Sequence, residues 1–182
     1  MKKVLVITGS PRKGGNSDML ASSFADGVEE NGNEVMRFDA GLKKIAGCTA
    51  CCRCGENGKT CVIDDDFNDV QSMLETADVL VFISPLYWFG VSSQLKALID
   101  RIHAYSIHGG TRLPAKESVL IMCGETDDMN DFTGAVETYR NMGKYLKWED
   151  RGVLLIGEVN KKGDVLNAPG ALGSAKDLGL SI

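Results

Sequence analysis

Three stretches of this chain carry residue types whose spacing suits chemistry better than packing. The first is Gly9-Ser10-Pro11-Arg12-Lys13-Gly14-Gly15-Asn16-Ser17. Its serines offer hydroxyl donors, Asn16 an amide donor and Arg12 a planar fork matched to phosphate. Its glycines let backbone curl closely around a ligand. The second is Pro85-Leu86-Tyr87-Trp88-Phe89-Gly90. Three consecutive aromatics have neither the alternation of a strand nor the spacing of a helix face. Such a loop can flank a flat ring while its amides reach the ring's polar edge. The third is a run of thiols, Cys48-x2-Cys51-x2-Cys54-x6-Cys61, with Cys52 added.

Five of the six cysteines fall within fourteen residues, and only Cys123 stands apart, in an apolar run. Two-residue gaps let one loop wrap three corners of an iron–sulfur cluster, with a fourth thiolate arriving from further along. A zinc ribbon would show two separated C-x2-C pairs, and a lone redox C-x2-C needs no fourth or fifth thiol. An iron–sulfur cluster, free thiols or disulfides, and zinc all stay open at this level.

The elements that must position these stretches read off from hydrophobic period. Lys3 to Thr8, Glu34 to Phe38, Val79 to Ser84, Ser118 to Cys123 and Gly152 to Gly157 are short β-branched or apolar runs, the first and third nearly continuous, as in strands buried on both faces. Between them lie helical patterns. Leu20, Phe24 and Val28 form one stripe, with Asn16 or Ser17 as its cap. Asp64 to Thr76 buries Phe67, Val70 and Leu74; Val91 to Ile102 buries Leu95, Leu98, Ile99 and Ile102; Asp131 to Leu146 buries Phe132, Val136, Tyr139 and Leu146. Ala171 to Leu180 is the last helix, 41–62 an irregular cysteine-rich loop, and Ala104 to Lys116 a loop.

Five strands alternating with five helices predict one α/β domain over 1–182, with a parallel sheet covered on both faces. One nucleotide-binding half and a short chain favour the flavodoxin-like order 2-1-3-4-5, in which ligands sit outside the carboxyl ends of the strands. The first loop would then meet a helix N-terminus, a ready anion site. A Walker A reading fails because Gly15 and Asn16 follow Gly14, and G-x-G-x-x-G is absent.

A formal net charge of -5 argues against duplex nucleic acid, since phosphate binding needs a basic face. No apolar run approaches the roughly 20 residues of a membrane span, and the opening run ends at Thr8-Gly9, too soon for an export signal. Cytoplasmic residence is the expectation, and clustered thiols there point to redox or metal chemistry rather than a disulfide framework. His103 is expected at a helix C-terminus, His108 in a solvated loop, and Asp64-Asp65-Asp66 as acids opening a helix. No Ser/His/Asp or hydrolase constellation is present, so no catalytic side chain is assigned.

Gly-Ser-Pro-Arg followed by Gly15-Asn16-Ser17 resembles the phosphate loop of the NADPH-dependent FMN reductase family, with one extra residue between Arg12 and Gly15. The resemblance continues through Ser84 to Ser92 and Leu95 to Arg101. It implies a flavodoxin-like fold, FMN as cofactor and NAD(P)H as electron donor. Ser10, Arg12, Asn16 and Ser17 would grip the FMN phosphate, and Pro85, Leu86, Tyr87, Trp88 and Phe89 would border the flavin ring. Gly124, Glu125 and Thr126, after the fourth strand, would form the third wall, with Cys123 a core residue. The electron acceptor would be a free flavin, a quinone, another small molecule or a redox protein, and the protein a homodimer or higher homo-oligomer.

The cysteine run resembles the motif of iron–sulfur flavoproteins, a branch of the same superfamily. This implies a [4Fe-4S] cluster on Cys48, Cys51, Cys54 and Cys61, with Cys52 turned away. Flavin reductases without a cluster share the ending Gly58-Lys59-Thr60-Cys61-Val62-Ile63-Asp64-Asp65-Asp66. An electron carrier between proteins and a thiol-based sensor are the rival readings.

Overall fold

The computed structural model describes residues 1–56, 60–106, 113 and 116–182. His108, Gly58 and Lys59 lie outside the described residues. Five strands, β1 (Lys3–Thr8), β2 (Glu34–Phe38), β3 (Val79–Pro85), β4 (Glu117–Cys123) and β5 (Glu149–Ile156), alternate with helices. The helices are α1 (Asn16–Glu30), α2 (Phe67–Thr76), α3 (Ser93–Ile102), α4 (Thr133–Leu146) and α5 (Ala171–Leu180). The strands form one parallel sheet in the order β2-β1-β3-β4-β5, the flavodoxin-like order expected from the sequence.

Period-2 alternation divides the core into two layers. Leu5, Ile7, Leu80, Phe82, Leu120 and Met122 face α2, α3 and α4. Val4, Val6, Val79, Val81, Ile83, Val119 and Ile121 face α1 and α5. Strands buried on both sides explain why β1 and β3 are nearly unbroken apolar runs.

Several boundaries move, each for a tertiary reason. α2 begins at Phe67 rather than Asp64, because the Asp65 carboxylate accepts from Phe67 N at 3.0 Å and Ala46 N at 2.8 Å while gripping Arg101. α1 is capped by Gly15 without a side-chain bond, since the Asn16 side chain is drawn to the loop after β5. α3 begins after Ser92, whose Oγ accepts from Leu95 N at 3.3 Å. A 3-10 turn, Met129–Phe132, precedes α4. β5 starts at Glu149, beyond a register shift opposite Ser118/Val119, and Tyr139 Oη bridges Ser118 Oγ and Asp150 Oδ1 there. His103 stands at the C-cap of α3, as its sequence position suggests.

α1 and α5 cross with their backbones nearly touching. A Cβ on Gly179 would lie 2.2 Å from Phe24 O, and one on Gly27 would lie 2.1 Å from Lys176 O. Gly173, on the same helix, has open space around it. Gly179→Ala is therefore expected to lose about 1–3 kcal/mol despite the better helix propensity of alanine. Gly173→Ala should gain about 0.5–1 kcal/mol. Urea unfolding followed by circular dichroism measures both, and equal effects at the two positions would contradict the close crossing.

Candidate functional site

Parallel connectivity sends the loops after β1, β3, β4 and β5 to one edge of the sheet. There they enclose a cavity of about 530 Å³. Its lining includes Ser10, Arg12, Asn16 and Ser17 from the first loop and helix, and Pro85, Leu86, Tyr87, Trp88 and Phe89 from the aromatic loop. Gly124, Glu125 and Thr126 complete it with Cys123, Val159 and Asn160. All twelve cavity residues expected from the sequence come together. Val159 and Asn160 were missed, although the loop after a fifth parallel strand must emerge at the same edge.

The first loop is held from below. Gly9 N donates to Ile83 O at 2.8 Å, and Ser92 Oγ donates to Gly9 O at 2.6 Å. Ser92 N in turn donates to Ser84 Oγ at 2.9 Å. A Cβ at residue 9 would stand 2.6 Å from that Ser92 oxygen, so only glycine permits the approach. Above this floor, Gly15 N donates to Arg12 O and Arg12 N to Ser10 Oγ, which shapes a tight curl into α1. The curl delivers the first-turn amides of α1 and its positive dipole end to the cavity.

The loop after β5 braces this curl. Arg12 Nη1 donates to Asn160 O at 3.0 Å, and Asn16 Nδ2 to Lys161 O at 2.9 Å. Asn16 Oδ1 accepts from Gly163 N and Val165 N. The Asn16 side chain thus serves as a brace, with its polar groups committed to backbone. Ser17 Oγ and Cys123 Sγ share a hydrogen bond at 3.2 Å. Burial pushes the Cys123 thiol up, opposed by Ser17, and the residue is buried at the end of β4, as expected of a core position.

The aromatic loop is a two-residue turn. Tyr87 N donates to Gly90 O and Gly90 N to Tyr87 O, at 2.9 and 3.0 Å. Trp88 and Phe89 at its tip have φ of 47° and 60°. Two left-handed residues in such a turn call for Asn-Gly, not two large aromatics. Leu86 N donates to Cys123 O at 2.7 Å and locks the turn's base to the end of β4. Trp88 is 94% exposed and Phe89 56%, so these rings are not held in place by the core.

The third wall is stitched to its neighbours. Gly124 N donates to Ile156 O, Val159 N to Gly124 O and Glu158 N to Thr126 O. Thr126 Oγ1 donates to Asp131 Oδ2 at 2.6 Å. A group of carboxylates, Glu125, Asp127, Asp131 and Glu158, lines the neighbouring surface beside Thr126.

In the cysteine loop, Cys48, Cys51 and Cys52 are exposed, Cys54 is half-buried and Cys61 is buried. Burial pushes the Cys54 thiol up, and negative charge on Cys61, Cys48 and Cys51 pushes it further, so these four sulfurs share one electrostatic neighbourhood. Cys52 stands at φ 55° with Sγ 3.6 Å from Ala50 O. The Arg53 amide, then the Thr49 hydroxyl, pulls the Cys51 thiol down. Among the described residues no three His, Cys, Asp or Glu side chains are close enough, as they stand, to hold a metal ion. No described helix is long and apolar enough to cross a membrane.

The family model described as NADPH-dependent FMN reductase matches residues 2–146. An iron–sulfur flavoprotein of Archaeoglobus fulgidus is 36% identical over 103 residues, covering 57% of this chain and 46% of that protein. The chain spans about half the length of the iron–sulfur flavoproteins it matches first. A Bacillus subtilis protein named for an NAD(P)H-dependent FMN-containing oxidoreductase is 25% identical over 182 residues, covering 97% of this chain and 96% of its own. Among solved structures, an NAD(P)H:quinone oxidoreductase from Methanothermobacter marburgensis shares the fold at TM-score 0.71 and 18% identity, covering 98% of this chain and 94% of its own.

The left-handed tip generates a prediction. An exposed non-glycine residue in this region costs about 1–2 kcal/mol, while glycine's extra unfolded-state freedom costs about 0.4–1 kcal/mol. Trp88→Gly should then leave stability unchanged or raise it by about 0.5–1 kcal/mol. A loss above about 2 kcal/mol on chemical unfolding would show that the indole is a packing residue instead.

Proposed function

This chain belongs to the NADPH-dependent FMN reductase family, and from that premise we propose that it binds FMN in the carboxyl-edge cavity, takes electrons from NAD(P)H and passes them to a small acceptor such as a free flavin or a quinone. The observation that carries this reading is the convergence of all twelve expected residues on one cavity of about 530 Å³, within the usual size of a cofactor pocket. Arg12, with the hydroxyls of Ser10 and Ser17 and the first amides of α1, takes the phosphate. Pro85 to Phe89 border the ring, and the backbone of Gly124 to Thr126 faces it from the third side. When bound, FMN supplies the site at which a hydride is accepted. The chain's own part is to bind, orient and exclude water. No side chain is assigned a proton-transfer step.

The cysteine loop extends the proposal. Soft thiolates at C-x2-C-x2-C-x6-C suit a [4Fe-4S] cluster, and Cys48, Cys51, Cys54 and Cys61 are its ligands in this reading. The spacing in the sequence supports the set, and the loop must tighten for all four to ligate. Relatives named as iron–sulfur flavoproteins favour a second reading, an electron carrier between partner proteins. We further place the protein in the cytoplasm as a homodimer. Six free thiols suit a reducing compartment. Half-buried Ile99, Met142 and Leu146, beside exposed Tyr145 on α3 and α4, offer an apolar face.

Oxidation of NADH or NADPH by the purified protein alone distinguishes the readings: turnover with a quinone or free flavin is expected, and its absence with FMN bound would favour the carrier. The double variant Arg12→Ala/Ser17→Ala should weaken FMN binding by about 2–4 kcal/mol, roughly 30- to 700-fold. Unchanged affinity by fluorescence titration would move the phosphate elsewhere. Anaerobic reconstitution should load iron and sulfide in addition to FMN. Near-zero iron with FMN fully bound would leave an FMN oxidoreductase without a cluster.

A further inference from the structure

The neck of the cysteine loop is closed by a buried ion pair that the flavin site does not use. Arg101, near the end of α3, is 2% exposed, among the most buried side chains of the chain. Its Nη1 donates to both oxygens of Asp65, at 2.7 and 2.6 Å, and approaches Ala46 O at 3.5 Å. Its Nη2 donates to Ile63 O at 3.0 Å. The guanidinium lies over the Phe67 ring, 4.3 Å from its centroid. Asp65 reaches back across the neck, accepting from Ala46 N, and Asp66 does the same with Lys44 N at 2.7 Å. Residues 44–46 and 63–66 are thereby tied together, and every one of the four clustered thiols lies between them.

Fold stability alone does not account for this arrangement. Buried ion pairs are often matched or bettered by apolar residues of similar volume. Arg101 Nε is moreover buried with no hydrogen-bond partner among the described residues, so the group is retained at a cost. What the fork achieves is geometric: one planar group addresses both ends of the loop at once, which lysine cannot do. The other end of the same helix is anchored in the flavin cavity's floor, through Ser92 Oγ to Gly9 O and Ser92 N to Ser84 Oγ. Nine helical steps separate Ser92 from Arg101, about 13 Å at the usual rise.

We propose that Arg101 is a positioning residue for the cysteine loop: paired with Asp65, it closes the loop's neck, keeps Cys61 buried and holds the four thiols as a set at a fixed offset from the flavin cavity, with α3 as the spacer. The role of those thiols as cluster ligands rests on the reading in the preceding subsection. The closure of the neck does not.

The test uses the full chain with FMN bound, as wild type, Arg101→Lys and Asp65→Asn. The lysine variant keeps the charge and loses the fork; the asparagine variant keeps an acceptor and loses the charge. In the cluster-free protein, iodoacetamide labelling of Cys61, followed by peptide mass spectrometry, should be about tenfold faster in both variants as the neck opens locally. FMN affinity and far-ultraviolet circular dichroism should match wild type. After anaerobic reconstitution, iron should be lost to a chelator about tenfold faster, the scale expected when a ligand's supporting contact is removed. Cys61 labelling at the wild-type rate in both variants would overturn the proposal. So would joint loss of FMN binding and helix content in both, which would make Arg101 a residue of the global fold. If wild type takes up no iron while the variants still expose Cys61, the clamp stands and the cluster reading falls.

Discussion

A parallel sheet has no tight turns, so every connection must cross one of its faces and every strand must end at the same edge. The site of this protein depends on that constraint. Register does the fine placement: Thr8 pairs with Ile83, Pro85 with Cys123 and Cys123 with Ile156. The ends of β1, β3, β4 and β5 therefore lie side by side, and the loops that follow them have nowhere to converge except around one cavity. The apolar runs of β1 and β3 are what make this possible, because a strand buried on both faces fixes register through two independent sets of contacts.

On that frame, a few buried polar contacts turn neighbouring loops into walls. Ser92 is the most economical of them. It caps α3, holds Gly9 O with its hydroxyl and hands its amide to Ser84. The start of α3 is thus fastened to the loop after β1 while its end grips the neck of the cysteine loop through Arg101. The buried Ser92 and Ser84 hydroxyls and the two terminal nitrogens of Arg101 each find a specific partner, while Arg101 Nε finds none among the described residues. The aromatic turn departs from the rule of local comfort. Trp88 and Phe89 occupy backbone regions that suit glycine, and they are exposed. Strain of this kind, held by the Tyr87–Gly90 pair and the Leu86–Cys123 bond, collects at sites that meet a ligand or partner.

The electrostatics of the cavity are uneven in a way that suits its assignment. Arg12 and the N-terminus of α1 line it together with Glu125, and further carboxylates stand on the surface beside Thr126. A helix N-terminus with an adjacent guanidinium favours an anionic group. The thiols follow a different logic: local donors pull the Cys51 thiol down, while burial pushes Cys54 and Cys123 up.

Much of this was legible in the sequence because it is encoded locally. Short apolar and β-branched runs marked all five strands, helical spacing marked four of the five helices, and their alternation with a short chain pointed to a parallel sheet in the observed order. Glycine, serine and arginine after β1, and three adjacent aromatics after β3, marked two walls of the cavity, because no packing period explains them. What local pattern could not supply was the identity of partners far apart in the chain. Asp65 read as an acid opening a helix; only the approach of Arg101, 36 residues on, made it the closure of a loop and moved the start of α2 to Phe67. Asn16 read as a cap or phosphate donor, and the turn at 161–165 claimed its side chain. Val159 and Asn160 carried no signal of their own and joined the cavity through the position of β5. The division has one physical reason: backbone preference and hydrophobic period act over a few residues, whereas a buried polar group takes its role from whichever partner the packed sheet and helices bring within hydrogen-bonding distance.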